Sequence, residues 1–185
     1  GIAESALAEM IADWEDNLPA DMHLAYLPNA LTGVRLRLSI YGGMREDQEA
    51  RIENELKGLH AILGDIIYSD KDDTLESAIG EILKAAGKTL STAESCTGGM
   101  ISSLVTSVPG SSEYFLGSVT SYANSVKENV LGVSPKIIEE SGAVSSECVS
   151  AMAEGVRRLT CSDYSVATSG IAGPGGGSDQ KPVGT

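Results

Sequence analysis

Ser91-Thr92-Ala93-Glu94-Ser95-Cys96-Thr97-Gly98-Gly99 gathers hydroxyls, a thiol and a carboxylate immediately before paired glycines. A short apolar run precedes it and a helix-like run over 100–108 follows. A strand-to-helix turn of this kind exposes a nucleophile and aims free backbone N–H groups at one point, which is what acyl transfer requires. Ser95 needs a base to lose its proton. The only histidines, His23 and His60, lie far upstream, so a Ser-His-Asp triad within the second half of the chain is excluded. Lys127 is the remaining base candidate, because burial lowers a lysine pKa toward the working range. Tyr122 closes the preceding strand and is a candidate to relay the proton or to orient the amine. Cys96 is a competing nucleophile, since thiolate is stronger, and Glu94 is either a general acid or a strand-end charge.

A second glycine-rich stretch, Gly170-Ile171-Ala172-Gly173-Pro174-Gly175-Gly176-Gly177, directly follows a strand-like run. Glycines let a backbone approach a ligand closely, and open α/β sheets bind ligands at the C-terminal ends of their strands. A surface loop is the commonplace alternative. Neither glycine stretch has the Gly-Lys-Ser/Thr ending of a phosphate-binding P-loop or the strand–GxGxxG–helix context of a dinucleotide site.

The elements that position these residues alternate. Helical spacing is expected over 75–86, a strand entered from Lys88-Thr89-Leu90, a helix over 98–107, a strand over 116–122, a short helix over 125–131, a longer helix over 145–159 and a strand over 164–169. Pro182-Val183-Gly184-Thr185 reads as the entry to another strand. The first part reads differently. A helix over 4–14 is followed by a strand over 22–27 and by the alternating Val34, Leu36, Leu38 and Ile40 strand. A helix over 46–59 and a third strand candidate over 61–68, interrupted by Gly64, complete it. The polar run Ser69-Asp70-Lys71-Asp72-Asp73 marks a boundary, giving a small α+β module over 1–73 and an α/β domain over 74–185.

With 13 basic and 26 acidic residues the chain carries a formal charge of -13, which argues against nonspecific nucleic-acid binding. The first module has the element order of a KH-type RNA-binding module. However, it offers adjacent glycines at Gly42-Gly43 in place of the G-x-x-G clamp, and 15 acidic against 6 basic side chains over 1–73. It is read as structural or interfacial, with Arg35 and Arg37 on the solvated face of a strand. Cys96, Cys148 and Cys161 are odd in number and widely spaced, without a disulfide framework or a zinc pattern. With no membrane-length apolar run, a cytoplasmic location is expected. Gly1 stands where an initiator methionine would, so a processed or cut piece is expected.

The ordered set Thr92–Gly99, Val108-Pro109-Gly110-Ser111-Ser112, Tyr122-Ala123-Asn124, Leu131-Gly132-Val133, Gly142-Ala143-Val144-Ser145, Gly170–Gly176 and Lys181–Thr185 resembles the C-terminal domain of the CinA family, over about 75–185. The first module resembles that family's middle, KH-like region. The resemblance implies a three-layer α/β amidase domain with a mixed sheet. It also implies a nicotinamide-nucleotide amidase that converts the carboxamide of nicotinamide mononucleotide to a carboxylate and ammonia, with no metal and no cofactor. Ser95 would be the nucleophile, Lys127 the general base and Tyr122 the third member. Thr97, Gly98 and Gly99 would supply ligand contacts or the oxyanion hole, and Gly170, Ala172 and Gly173 the nucleotide side. The implied partners are the nucleotide and a second copy in a homodimer, with neither nucleic acid nor membrane. The family's domain continues past the Lys181–Thr185 segment, so part of the sheet and some ligand-binding groups are expected beyond it. The competing reading is a non-catalytic nucleotide-binding or assembly fragment.

Overall fold

Val34, Leu36 and Leu38 alternating with Arg35, Arg37 and Ser39 dictate a strand with one buried face, and the computed structural model builds the first part of the chain on it. The structure describes residues 2–29 and 33–185. Its chain divides into two units, Gly1–Leu75 and Glu76–Thr185.

In the first unit, helix α1 (Glu4–Asp16) precedes strands β1 (Met22–Asn29) and β2 (Gly33–Ile40), and helix α2 (Arg45–Leu63) follows. The strands pair antiparallel, from Met22 opposite Ile40 to Asn29 opposite Gly33. Leu7 and Ile11 of α1 meet Leu59 and Leu63 of α2, and Leu24, Tyr26, Val34 and Leu36 of the hairpin pack onto them. The Arg51 guanidinium grips the Asp21 carboxylate with bonds of 2.8 and 2.7 Å, and the Tyr26 hydroxyl donates to Glu15 at 2.6 Å.

The third strand expected over 61–68 is absent, and this corrects the sequence reading. The apolar series Ile52, Leu56, Leu59 and Leu63 keeps helical spacing past residue 60, so α2 continues through it. Gly64, at φ +51, ends the helix, as glycine does at helix C-termini, and a 3₁₀ turn spans Gly64–Ile66. Gly42 and Gly43 also take positive φ, of +77 and +89. Arg45, two residues on, is engaged with Glu49, and Arg35, toward the other end of β2, with Asp72.

In the second unit, helix α3 (Leu75–Ala86) leads into β3 (Leu90–Glu94). Next come α4 (Met100–Thr106), a 3₁₀ turn (Ser111–Glu113), β4 (Phe115–Thr120), α5 (Asn124–Asn129), α6 (Pro135–Glu140), α7 (Ser146–Thr160) and β5 (Tyr164–Thr168). The sheet order is β4-β3-β5, and both pairings are parallel. The mixed sheet implied by resemblance is therefore a parallel one among the described residues, because helical crossovers carry the chain from β3 to β4 and from β4 to β5. Ser134-Pro135 opens α6, which the sequence reading left unassigned. A serine before proline at the first helical position is its usable signal.

Every residue of β3 is buried. Cys148, Met152 and Val156 of α7 cover one face, together with Ala93, Leu131 and Val133. Leu83 of α3, Val105 of α4 and Tyr114 cover the other, with Leu90. This gives three layers. The chain leaves β3 toward β4 by way of α4 and crosses back to β5 by way of α7, so the C-terminal ends of β3 and β5 flank a topological switch point, where open α/β sheets bind ligands. At the opposite end of β3, the Asp163 carboxylate takes the Lys88 ammonium at 2.8 Å and the Thr89 amide and hydroxyl at 2.9 Å each. These contacts hold its carboxyl down to about 2.

Helix α7 comes close enough to Leu131 that a Cβ on Gly155 would lie 2.1 Å from the Leu131 carbonyl oxygen. Backbone cannot yield as a side-chain tip can, so Gly155→Ala is expected to cost about 3 kcal/mol, at the upper end of overpacking penalties. Thermal unfolding should register it as a Tm drop of roughly 6–12 °C. None of the described helices is long and apolar enough to cross a membrane.

Candidate active site

Two ladder bonds continue past the end of β3 and hold the nucleophile candidate in place. The Ser95 amide donates to the Thr168 carbonyl at 3.0 Å, and the Ser121 amide donates to the Glu94 carbonyl at 2.8 Å. Ser95 thus sits between the ends of β4 and β5. Beyond it the chain reverses through Gly98 at φ +62 and Gly99 at φ +104, a left-handed pair that glycine accommodates without strain.

The turn closes on Glu94. Its fully buried carboxylate accepts the amides of Gly99 at 3.1 Å, Ile101 at 3.0 Å and Ser102 at 2.8 Å. These N–H groups open α4 and have no partner within that helix. Burial alone would push the Glu94 carboxyl up. The amides of Ser102 and Ile101 and the hydroxyls of Thr97 and Ser102 outweigh it, and the carboxyl lies below its usual range. Glu94 is therefore the clasp of the turn. Of the two roles considered from sequence, this extends the strand-end charge and leaves no access for a general acid.

Lys127 enters from α5 and is only 1% exposed. Its Nζ lies 3.1 Å from Ser95 Oγ, 2.6 Å from the Ser121 carbonyl and 3.2 Å from the Tyr122 carbonyl. Burial depresses its pKa, opposed in part by the Cys148 and Cys96 thiols nearby. A neutral amine has two N–H groups and one lone pair. In that form the two carbonyls would take the N–H groups and leave the lone pair for the Ser95 proton.

Tyr122 meets the amine differently from the sequence expectation. Its side chain is 77% exposed, and it contacts Lys127 through its main-chain carbonyl. No bond from its phenol to Lys127 or Ser95 is present, because the chain turns at Ser121-Tyr122 to start α5 and presents carbonyls inward. Cys96 is half-buried and hydrogen-bonded to neither Lys127 nor Ser95.

The remaining candidates fall around this centre. The Thr97 hydroxyl bonds the Thr168 hydroxyl at 2.8 Å, tying the turn to β5. The Gly98 amide is used by the Ser95 carbonyl at 3.1 Å and that of Gly99 by Glu94, so neither points at a ligand. The amides of Cys96 and Thr97 take no part in the hydrogen bonds of the turn. Gly170 lies against the nucleophile turn, since a Cβ on it would sit 3.3 Å from Cys96 Sγ and 2.6 Å from the Thr185 carbonyl oxygen. Ala172 is exposed, and Gly173, at φ +79, packs its backbone on Val183.

Residues 182–185 do not form the expected strand entry. They fold back on the glycine loop, with Ile171 N–H to the Thr185 carbonyl at 3.0 Å and Gly184 N–H to the Ile171 carbonyl at 2.8 Å. The Lys181 ammonium latches the loop to the Ser141 carbonyl at 2.7 Å, and Ser169 Oγ donates to the Ala143 carbonyl at 2.7 Å. Ser121 and Lys181 have no role in the sequence reading, and for Glu94 that reading does not include the clasp. Glu94 five residues before Gly99 was the one signal available, as a carboxylate facing an uncapped helix start.

The same chain matches known proteins over both units. Residues 72–185 match the family described as CinA C-terminal domain, and residues 1–69 that described as damage-inducible protein CinA KH domain. The CinA-like protein of Cytophaga hutchinsonii is 45% identical over 185 residues and that of Salinibacter ruber 47%. Both alignments take in 100% of this chain but 44% of the relative, so the chain spans less than half the length of these relatives. The solved competence/damage inducible protein CihA from Agrobacterium tumefaciens is 40% identical with a TM-score of 0.58, over 59% of this chain and 66% of that one. A competence-damaged protein (CinA) superfamily protein from Escherichia coli is 30% identical with a TM-score of 0.59, over 66% and 74%. The chain belongs to the CinA family, with a KH domain followed by the CinA C-terminal domain.

Proposed function

We propose that the second unit is an amide hydrolase that acts by acyl transfer through Ser95 and Lys127, with the carboxamide of nicotinamide mononucleotide as substrate. The observation that carries this reading is the buried Lys127 amine 3.1 Å from Ser95 Oγ, its remaining hydrogens taken by two carbonyls. The substrate class rests on the family resemblance. The switch-point position and the glycine loop beside Cys96 support it. Acting through backbone amides, the loop would receive an anionic nucleotide without adding cations to an acidic chain.

Lys127 Nζ takes the Ser95 proton as Oγ bonds to the carboxamide carbon, and the carbonyl π pair moves onto oxygen. The amides of Cys96 and Thr97, the first two after the nucleophile, hold that oxyanion. Its collapse breaks the C–N bond, and the Lys127 ammonium returns the proton to the departing nitrogen, which leaves as ammonia. Water then adds to the ester with Lys127 again as base. The carboxylate leaves and Ser95 recovers its proton.

The test is to incubate the chain with nicotinamide mononucleotide, measuring ammonia release and the intact mass of the protein after acid quench. Ammonia together with a mass increase located on Ser95 is expected. Nucleotide binding by calorimetry without ammonia and without an adduct, in this chain and in one of the relatives' full length, would replace this reading with the binding-module one.

A further inference from the structure

We propose that the Ser121 hydroxyl takes over the place of the Ser95 hydroxyl on the Lys127 amine once Ser95 is acylated, making Ser121 a positioning residue for ester hydrolysis. The inference rests on the acyl-transfer reading above.

Ser121 continues β4 by one residue. Glu94 pairs with Thr120, and the Ser121 N–H to Glu94 carbonyl bond of 2.8 Å extends the ladder, so Ser121 lies beside Ser95. Side chains alternate along a strand, and partners in register share a face. Val119, two residues earlier, packs against the α7 cluster that contains Ala93. Ser121 and Ser95 therefore both face the layer from which Lys127 enters. Ser121 is fully buried, and its Oγ has no hydrogen-bond partner among the described residues. Thr92 Oγ1 and Tyr114 OH share that condition. Tyr114 belongs to the opposite cluster with Leu83 and Val105, and Thr92 alternates onto that same side with Leu90. Of these three hydroxyls Ser121 alone adjoins the site.

A buried hydroxyl without a partner costs stability, so its presence calls for a use. The reaction supplies one. In the resting enzyme the Lys127 lone pair receives the Ser95 O–H. In the acyl-enzyme Ser95 Oγ is an ester oxygen and carries no hydrogen. Ammonia has taken the proton, and Lys127 is neutral again with two N–H groups on the carbonyls of Ser121 and Tyr122. Its lone pair then faces a dry layer with no donor. The Ser121 carbonyl already touches the amine at 2.6 Å, which places the same residue's hydroxyl beside it, and in the proposal rotation about the Cα–Cβ bond brings that hydroxyl onto the amine. That contact holds the neutral amine in place beside the ester, and the incoming water displaces the Ser121 hydroxyl from the lone pair.

The experiment compares wild type with Ser121→Ala in three measurements. The acyl-enzyme formed from nicotinamide mononucleotide is followed to its decay by quenched intact mass. Steady-state kcat and KM are measured on the same substrate. Both proteins are also given p-nitrophenyl acetate, an activated ester that acylates a serine without needing the nucleotide site. The expected result is acyl-enzyme hydrolysis slowed about 10- to 100-fold on both substrates. Then kcat and KM fall together and kcat/KM holds, with Tm unchanged or raised because no bond is lost. Equal losses in kcat and kcat/KM, an unchanged decay rate, or a clear drop in Tm would overturn the inference. If the nucleotide is not turned over but the ester gives an acyl-enzyme, the substrate reading fails alone and the decay on the ester still decides Ser121. If neither acylates the protein, both fall.

Discussion

On the proposed amidase reading, replacing Ser95 by alanine or Lys127 by methionine is expected to lower ammonia release by at least about 10³-fold, with the double variant losing little more than either single one. Each change removes one end of the same proton transfer, so the losses do not add. The two differ in other measurements. Ser95→Ala forms no adduct with either an amide or an activated ester, and it leaves the Lys127 contacts with the Ser121 and Tyr122 carbonyls in place.

Lys127→Met removes the pH limb. Burial holds the wild-type Lys127 pKa below its usual 10.5, so the proposed activity is expected to rise with pH as the amine loses its proton and to level off before that value. The methionine variant shows no such rise. Stability has the matching sign. In the pH range between its folded and unfolded pKa values, Lys127 binds more protons in the unfolded chain than in the folded one, so the wild type gains stability as pH rises through that range. Relative to Lys127→Met, the wild type is at its greatest disadvantage below the folded pKa, and the gap closes as pH nears 10.5. Denaturant unfolding at several pH values checks this. A gap that widens with pH would contradict a neutral Lys127.

Glu94→Ala loses about 3 kcal/mol, because three amides at the start of α4 lose a buried acceptor and each orphaned donor costs about 1–3 kcal/mol before water returns. A Tm drop of roughly 6–12 °C follows. Turnover per folded molecule falls about 10²-fold, since the clasp sets where Ser95 and the Cys96 and Thr97 amides point, and small misplacements are that costly. The Glu94 carboxyl lies below its usual 4.5 in the folded state. Its contribution is complete above that value and is lost as pH falls through the folded pKa, so the variant has a shallower acid limb than the wild type. Asp163→Asn, at the other end of β3, is the control for simple loss of stability. If it matches Glu94→Ala in Tm and in turnover alike, Glu94 has no special part in positioning the turn.

What could be read from the sequence was what nearest neighbours and periodicity determine. The strand over 33–40 declares itself by alternation and α7 by the helical spacing of Val149, Met152, Val156 and Leu159, of which Met152 and Val156 are buried while Leu159 is exposed and Cys148 takes the inward place instead. The Ser95 turn is marked by its glycines. Lys127 emerged because the histidines lie in the other unit, and the structure brings its amine to Ser95. Tyr122 reaches Lys127 through its carbonyl, and spacing along a chain does not say whether a residue turns its ring or its carbonyl inward. Residues 61–68 look strand-like when read alone, but α2 arrives with a helical apolar face already in register and carries through to Gly64. The clasp by Glu94 depends on α4 folding back over the strand that precedes it. That is a tertiary event, and residue types within the turn do not encode it. The element order and the KH resemblance of the first unit were legible, although its third strand was not there.

The amine of Lys127 rests on two peptide carbonyls, at Ser121 and Tyr122, and peptide groups are beyond the reach of a codon change. Every residue at 121 or 122 carries the same oxygen, so the cradle persists under any substitution that leaves the local backbone path intact. A scan of side chains would report this support as silent. It also leaves the ring of Tyr122 at the surface, where a change of side chain keeps the carbonyl that touches the amine beneath.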